Sequence, residues 1–333
     1  MEAPQAGTGR VSHAGRIERV LRGVLAAVAA ALLAFPTLAD AGASLSPVVS
    51  APPVPLLWRV GEGPRTVYLL GTFHLLRAED YPLHPSVYVA LDDAESVLFE
   101  LPGDVLFDPV LGRRFVEAGL RRDGRSLAHE LGESGWSRLE AASRRVSLDP
   151  QALAPMRPWL AALTLSLAYM QSEGLDPALG MDRHLAERAA RAGKTVGGLE
   201  TMEQQIALFA EMSEAQARRQ LDDLLSRAGE LGPEVEWLHA QWRSGDADAL
   251  YWGMAASMKA RDPVLYARIN TDRNEAWLPL IRARLDDPGT DDTLVAVGSL
   301  HLVGAEGLVQ RLAELGYRVE RVAGDAGVAP ATP

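Results

Sequence analysis

The chain has 333 residues, 47% of them hydrophobic, with 44 aspartates and glutamates against 33 lysines and arginines and no cysteine. That length and apolar content suffice for a full core, and the acidic balance argues against a surface that tracks phosphates, so no nucleic-acid partner is expected. Without cysteine there is no thiolate ligand, thiol nucleophile, disulfide or acylated cysteine, and any metal must be held by histidine and carboxylate.

Arg10, Arg16, Arg19 and Arg22 precede the apolar block Gly23–Phe35, and small residues follow at Ala39 and Ala41. A basic flank, a short apolar core and small residues, in that order, read as a signal peptide over residues 1–41. The block falls short of the roughly 18 apolar residues of a spanning helix, an uncleaved anchor being the alternative. A periplasmic or secreted protein without a stable membrane anchor is expected, with a Pro/Ser/Ala linker at 42–55.

Next, Leu56–Val60 and Thr66–Gly71 flank Gly61–Pro64 as a hairpin start. Pro85 opens a predicted helix to Ala94, and the strand-like run Ser96–Leu101 carries Glu100 before a Pro102-Gly103 break, which together suggest a βαβ unit. A long helical stretch follows to about Ala192, in which Arg157–Gln171 is apolar nearly all round and so predicts a buried helix. The run Thr195–Leu199 leads into Glu200, with Thr201 placed as N-cap and Gln204 at the capping-box position. More helix extends to about Leu285. The strand Thr293–Gly298, a helix over Gly304–Leu315 and the strand Tyr317–Val322 suggest a second βαβ unit, before a tail at 323–333. The predicted fold class is α/β, a central sheet with parallel βαβ units flanked by many helices, in one domain at 56–322.

Two strand-like runs end in the same pattern, Gly71-x-x-His74 and Gly298-x-x-His301. His74, Glu100, Glu200 and His301 each stand at or just past the C-terminal end of a predicted strand, the edge where parallel sheets bind ligands. Gly71 and Gly298 would let the chain turn off the strand and bring backbone N–H groups near a ligand. Two histidines and a glutamate suit Zn²⁺, Mn²⁺ or Co²⁺ and leave positions open for water. Such a metal activates water toward a carbonyl, with Glu200 the candidate base. Other roles stay open: an arginine partner for Glu100, and a favourable interaction with a helix dipole for Glu200. Asp182, in Gly-Met-Asp-Arg-His, is expected to cap a helix, with His184 close by. Arg273 and Asn274 are predicted on a helix whose Trp277 and Leu278 pack inward. Arg273 would hold a substrate carboxylate or an active-site glutamate, or form a surface salt bridge. His13, His84, His129 and His239 have no supporting context and are expected to be non-functional. Gly-x-Ser-x-Gly, His-Glu-x-x-His and phosphate-loop motifs are absent.

The stretches YLLGTFHLL, LFELP, GMDRHLAERAARAGKTVGGLET, DRNEAW and VAVGSLHLVGAEGLVQRLAELGYRVERV resemble, in this order, the TraB/GumN family over roughly Leu56 to Val322. That family includes GumN-like proteins, pheromone-shutdown proteins and the Tiki metalloproteases. The resemblance implies a fold like that of erythromycin esterase and the haem-binding ChaN proteins. From Tiki-like members it implies a Mn²⁺- or Co²⁺-dependent activity resting on Gly71, His74, Gly298, His301 and Glu100. Met181 departs from the isoleucine or valine more common before Asp182. The expected function is an exported metal-dependent hydrolase, a peptidase acting on a peptide or protein. The alternative is a non-catalytic haem- or peptide-binding protein of the same fold. The mature chain is predicted to begin near Gly42, or at Asp40 if cleavage follows Ala39, which N-terminal sequencing of exported protein will check.

Overall fold

The computed structural model describes residues 51–61, 65–106, 108–286 and 291–322. The expected signal segment, the linker up to residue 50 and the tail lie outside the described residues. Six strands form one sheet: β1 (Leu56–Val60), β2 (Val67–Thr72), β3 (Ser96–Phe99), β4 (Thr195–Gly198), β5 (Thr293–Gly298) and β6 (Val319–Arg321). Their order is β4-β3-β5-β2-β1-β6. β4, β3, β5 and β2 pair parallel, β1 is antiparallel to β2, and β6 is antiparallel to β1 and so runs with the parallel set.

The composition of the central strands accounts for this arrangement. β3 and β5 are buried at every position and β2 at all but Tyr68, as strands covered on both faces require. β4, with Gly197 and Gly198, is less buried and lies at the edge. The βαβ expectation holds for direction but not for adjacency. β5 enters between β2 and β3, and β6 pairs with β1 at the far edge instead of with β5.

Helices cover the sheet and continue beyond it: α1 (Pro85–Asp93), α2 (Pro109–Gly119), α3 (Leu127–Arg145), α4 (Pro158–Ser172), α5 (Met181–Arg191), α6 (Met202–Ala210), α7 (Glu214–Ser226), α8 (Leu231–Ser244), α9 (Asp272–Asp286) and α10 (Leu308–Glu314), with shorter turns between. Side chains from α1, α5, α9 and α10 join the strands in one apolar cluster. α4, apolar nearly all round, is buried in a second cluster with α2, α3 and α7, while α6 packs against it. Leu106 touches both clusters. The predicted capping box is present, Thr201 Oγ1 accepting from the Gln204 N–H at 3.3 Å and Gln204 Oε1 from the Thr201 N–H at 2.8 Å.

The register places Thr72 beside Gly298 and Phe99 beside Gly198, so the residues that follow β2, β3, β4 and β5 emerge at one edge. Of the two expected glycine turns, Gly298 makes one without a left-handed conformation, ending β5 at φ −51° and opening the 3₁₀ turn Ser299–His301, whereas Gly71 lies inside β2. Space is what Gly71 supplies, since a Cβ there would lie 2.9 Å from Leu56 Cβ and 3.0 Å from Ser299 Oγ. Gly71→Ala should therefore lower stability by about 1–3 kcal/mol through overpacking, seen as a lower urea midpoint with unchanged slope.

Candidate active site

Beyond β2 the chain is pinned from several sides, and that fixes where His74 points. Phe73 packs on Trp242, with ring centroids 5.6 Å apart, and on His239, at 5.9 Å. The Phe73 carbonyl accepts from Met181 N–H at 3.1 Å, while Leu76 and Asp176 exchange backbone hydrogen bonds. Gly180 has no room for a Cβ, which would run into the His74 carbonyl oxygen. His74 Nδ1 lies 2.8 Å from Asp182 Oδ2, and Thr72 Oγ1 donates to Asp182 Oδ1 at 2.8 Å. Asp182 therefore does not cap α5 as expected; the N-cap is Gly180, with no side-chain cap bond, and the Asp182 carboxylate is already engaged by β2 and its loop. With Nδ1 donating to Asp182, His74 turns Nε2 toward Glu100, 3.8 Å from Oε1, and its side chain stays 56% exposed on the rim.

His301 lies on a one-turn 3₁₀ segment, Ser299–His301, and is buried against the Trp277 ring at a centroid distance of 4.5 Å. Asn274, wholly buried on α9, donates Nδ2 to the carbonyls of His301 at 3.2 Å and Glu306 at 2.8 Å. That fixes the amide, so its Oδ1, 2.8 Å from His301 Nδ1, must accept, and the ring proton sits on Nδ1. Its Nε2 accepts from Arg273 at 3.1 Å and lies 3.8 Å from Glu100 Oε1.

Glu100 and Glu200 end adjacent strands, linked by a backbone bond from Glu200 N–H to the Glu100 carbonyl at 3.0 Å. Both side chains are buried. Glu100 accepts from Gly298 N–H at 2.9 Å, Gln205 Nε2 at 3.3 Å and Arg273 at 2.6 Å. Arg273 also donates Nε to Glu200 Oε2 at 3.1 Å, a second N–H to Glu200 Oε1, and a third to His301 Nε2 at 3.1 Å. Its guanidinium lies 4.6 Å from the Trp277 ring centre. Arg273 therefore forms no surface salt bridge, and the Glu200 side chain turns to this guanidinium at the entrance to α6.

The rim thus gathers His74, Glu100, Glu200, Arg273, Asn274, Asp182, Gly298 and His301. The sequence profile of the TraB/PrgY/gumN family matches residues 56–321, from the first strand to the last. The chain belongs to this family. It is 26% identical over 255 residues to the protein YbaP of Escherichia coli K12, covering 75% of this chain and 89% of that protein, and equally to YbaP of Shigella flexneri; both relatives are described as uncharacterized. No solved structure matches.

Among the other histidines of this TraB/PrgY/gumN chain, none joins the rim within the described residues. His184 sits between the Tyr81 and Tyr88 rings, and His84 caps α1 by accepting from Ser86 N–H. His239 is buried 2.9 Å from Asp80, which also pairs with Arg243, so it anchors the loop that carries His74. Thr72, Gly180 and Gln205 support the site; Thr72 lies within Gly71-x-x-His74 and Gly180 opens Gly-Met-Asp-Arg-His, but nothing in those stretches shows their long-range partners. An open surface groove of about 420 Å³, which none of the rim residues lines, runs between α2 and α6 past Arg114, Ala118, Ile206 and Ala210.

Electrostatics divides the two histidines of this TraB/PrgY/gumN site. Partial enclosure works against charge on the half-exposed His74, but Asp182, with Glu100 behind it, outweighs that and raises its pKa to about 9. His301 is pushed down to about 3 by burial, with Arg273 adding to the effect. Glu100, which burial alone would raise, is held well below the carboxylate range by Arg273, the two histidines and the Gly298 N–H. Arg273 is raised, because Glu100 and Glu200 overcome its burial.

The donor chemistry suits a metal. Two imidazoles offer Nε2 while a carboxylate and an amide hold their Nδ1 atoms, and Glu100 offers an oxygen. Among the described residues, however, no three histidine, aspartate or glutamate side chains are spaced to hold an ion as they stand. Glu100 Oε2 and the His301 Nε2 lone pair are both occupied by Arg273.

The raised His74 pKa stabilises the fold fully below about pH 6.5, and this contribution is lost as pH rises through about 9. Neutral His301 acts oppositely, its contribution falling as pH drops from about 6.5 toward about 3. NMR titration of the metal-free protein should show His74 protonated to about pH 9 and His301 neutral, with its proton on Nδ1, across the range in which the fold holds. Asp182→Asn should bring the His74 midpoint back toward about 6.5.

Proposed function

We propose that the chain is an exported hydrolase acting on a carbonyl of a peptide or protein at this rim, with a divalent metal ion (Mn²⁺, Co²⁺ or Zn²⁺) held by His74, His301 and Glu100. One observation carries the reading: two histidines from different strand ends turn Nε2 onto one carboxylate oxygen, each 3.8 Å away, with both Nδ1 atoms already engaged. Ligating imidazoles need that second-side anchor to hold tautomer and orientation. When bound, such an ion supplies Lewis-acid polarisation of the carbonyl and a water of lowered pKa.

The chain's own residues have separate tasks. Asp182 and Asn274 orient the rings, and Glu100 stays ionised at any working pH. Arg273 keeps a positive charge at the rim, which would stabilise oxyanion charge developing on the carbonyl. Glu200 is the candidate proton acceptor, from whichever oxygen Arg273 releases, because a carboxylate with both oxygens on one guanidinium is a weak base. The exposed edge of His74 leaves the rim open to an extended chain.

His74→Ala and His301→Ala should each lose most bound metal by elemental analysis and most hydrolysis of a peptide library, while circular dichroism stays native. Glu200→Gln should keep the metal and lose about 10²–10⁴-fold in rate. Hydrolysis that persists undiminished in chelated, metal-free protein would overturn the metal assignment. A haem absorption band without any hydrolysis would favour a binding protein instead.

A further inference from the structure

Arg273 stands where the ligand set of the proposed site needs to be free, and where one oxygen of Glu200 must come free if Glu200 is the base. Its guanidinium takes Glu100 Oε2 at 2.6 Å and the His301 Nε2 lone pair at 3.1 Å, two of the three ligands, while two more N–H groups hold Glu200. The side chain is only 11% exposed and packs over Trp277. Two buried carboxylates at adjacent strand ends need a cation, and in this arrangement the chain supplies one of its own.

Resting on the metal reading above, we infer that Arg273 is an internal cation that competes with the metal for Glu100 and His301, so that binding requires its guanidinium to let go of both while it keeps one oxygen of Glu200. Arg273 is then a positioning residue that sets metal affinity. Geometry makes this specific to the guanidinium fork. Only a planar group with several divergent N–H donors can reach Glu100, Glu200 and the His301 ring at once. Lysine keeps the charge, yet its single ammonium cannot span the three, so the competition is separable from plain charge repulsion.

The test is calorimetric titration of Mn²⁺ into the metal-free mature protein, for wild type, Arg273→Lys and Arg273→Gln, with folding checked by circular dichroism. Losing charge-assisted hydrogen bonds to two ligands should tighten Mn²⁺ binding about tenfold to a hundredfold in both variants. In wild type, release of the guanidinium from the Trp277 face should also change tryptophan emission on binding, a change that Trp277→Phe should remove. Arg273→Lys with wild-type affinity would overturn the inference, because charge alone would then govern the site. Weaker binding in both variants would overturn it too, showing that Arg273 supports the metal. Absence of Mn²⁺, Co²⁺ and Zn²⁺ binding in wild type and both variants would sink the inference together with the metal reading itself.

Discussion

Two carboxylates buried side by side at the ends of adjacent parallel strands cannot both stay ionised without a cation, and the site is organised around that constraint. Glu100 and Glu200 follow β3 and β4, joined by a backbone hydrogen bond, and both are removed from water. Leaving either charge unpaired would cost several kcal/mol. Arg273 meets both with one guanidinium, and the same group reaches the lone pair of His301. A wide π-turn at Ala267–Thr271 leads into α9 and helps to set this arginine's position, with Ile269 offering its carbonyl to the guanidinium and Asn270 bonding to Tyr266 and Asn274.

The histidines are arranged by a second layer that uses different chemistry on each side. Asp182 is an anion, so it draws a proton onto His74 and keeps that ring charged in the absence of metal. Asn274 is neutral and its amide is committed to two backbone carbonyls, so it dictates the tautomer of His301 without charging it. One rim therefore holds one imidazolium that must lose a proton before it can ligate, and one neutral imidazole whose lone pair is taken by Arg273. Binding of a cation at the two Nε2 atoms has to displace a proton from His74 and a guanidinium from His301.

Packing keeps this arrangement in place. The loop after β2 is held by Phe73 on Trp242 and His239, by the Asp80–His239 pair and by the close approach of Gly180. His239 looked idle because nothing near it in sequence suggests a partner, yet it ties the loop down from α8. The second, mostly helical cluster reaches the rim on two sides: Leu101, which follows Glu100, is one of its buried members, and α6, which follows Glu200, packs against it and carries Gln205 to Glu100.

By itself the sequence determined the strands, their common edge and the four residues on it. Apolar runs of that length and the doubled Gly-x-x-His pattern are local signals, and a parallel sheet turns strand ends in one direction into a shared rim. It determined the Thr201–Gln204 cap for the same reason, both partners lying within one turn. Only the tertiary structure decided that β5 separates β2 from β3, and that Gly71 serves close packing instead of a turn. It likewise decided that Asp182 leaves the cap to bond Thr72 and His74, and that Arg273, expected to hold a substrate carboxylate or an active-site glutamate, spans Glu100, Glu200 and His301 at once. Each of those outcomes joins residues far apart along the chain, and pairing of that range is settled by which side chains must share a buried space and by which charges cannot be left there alone.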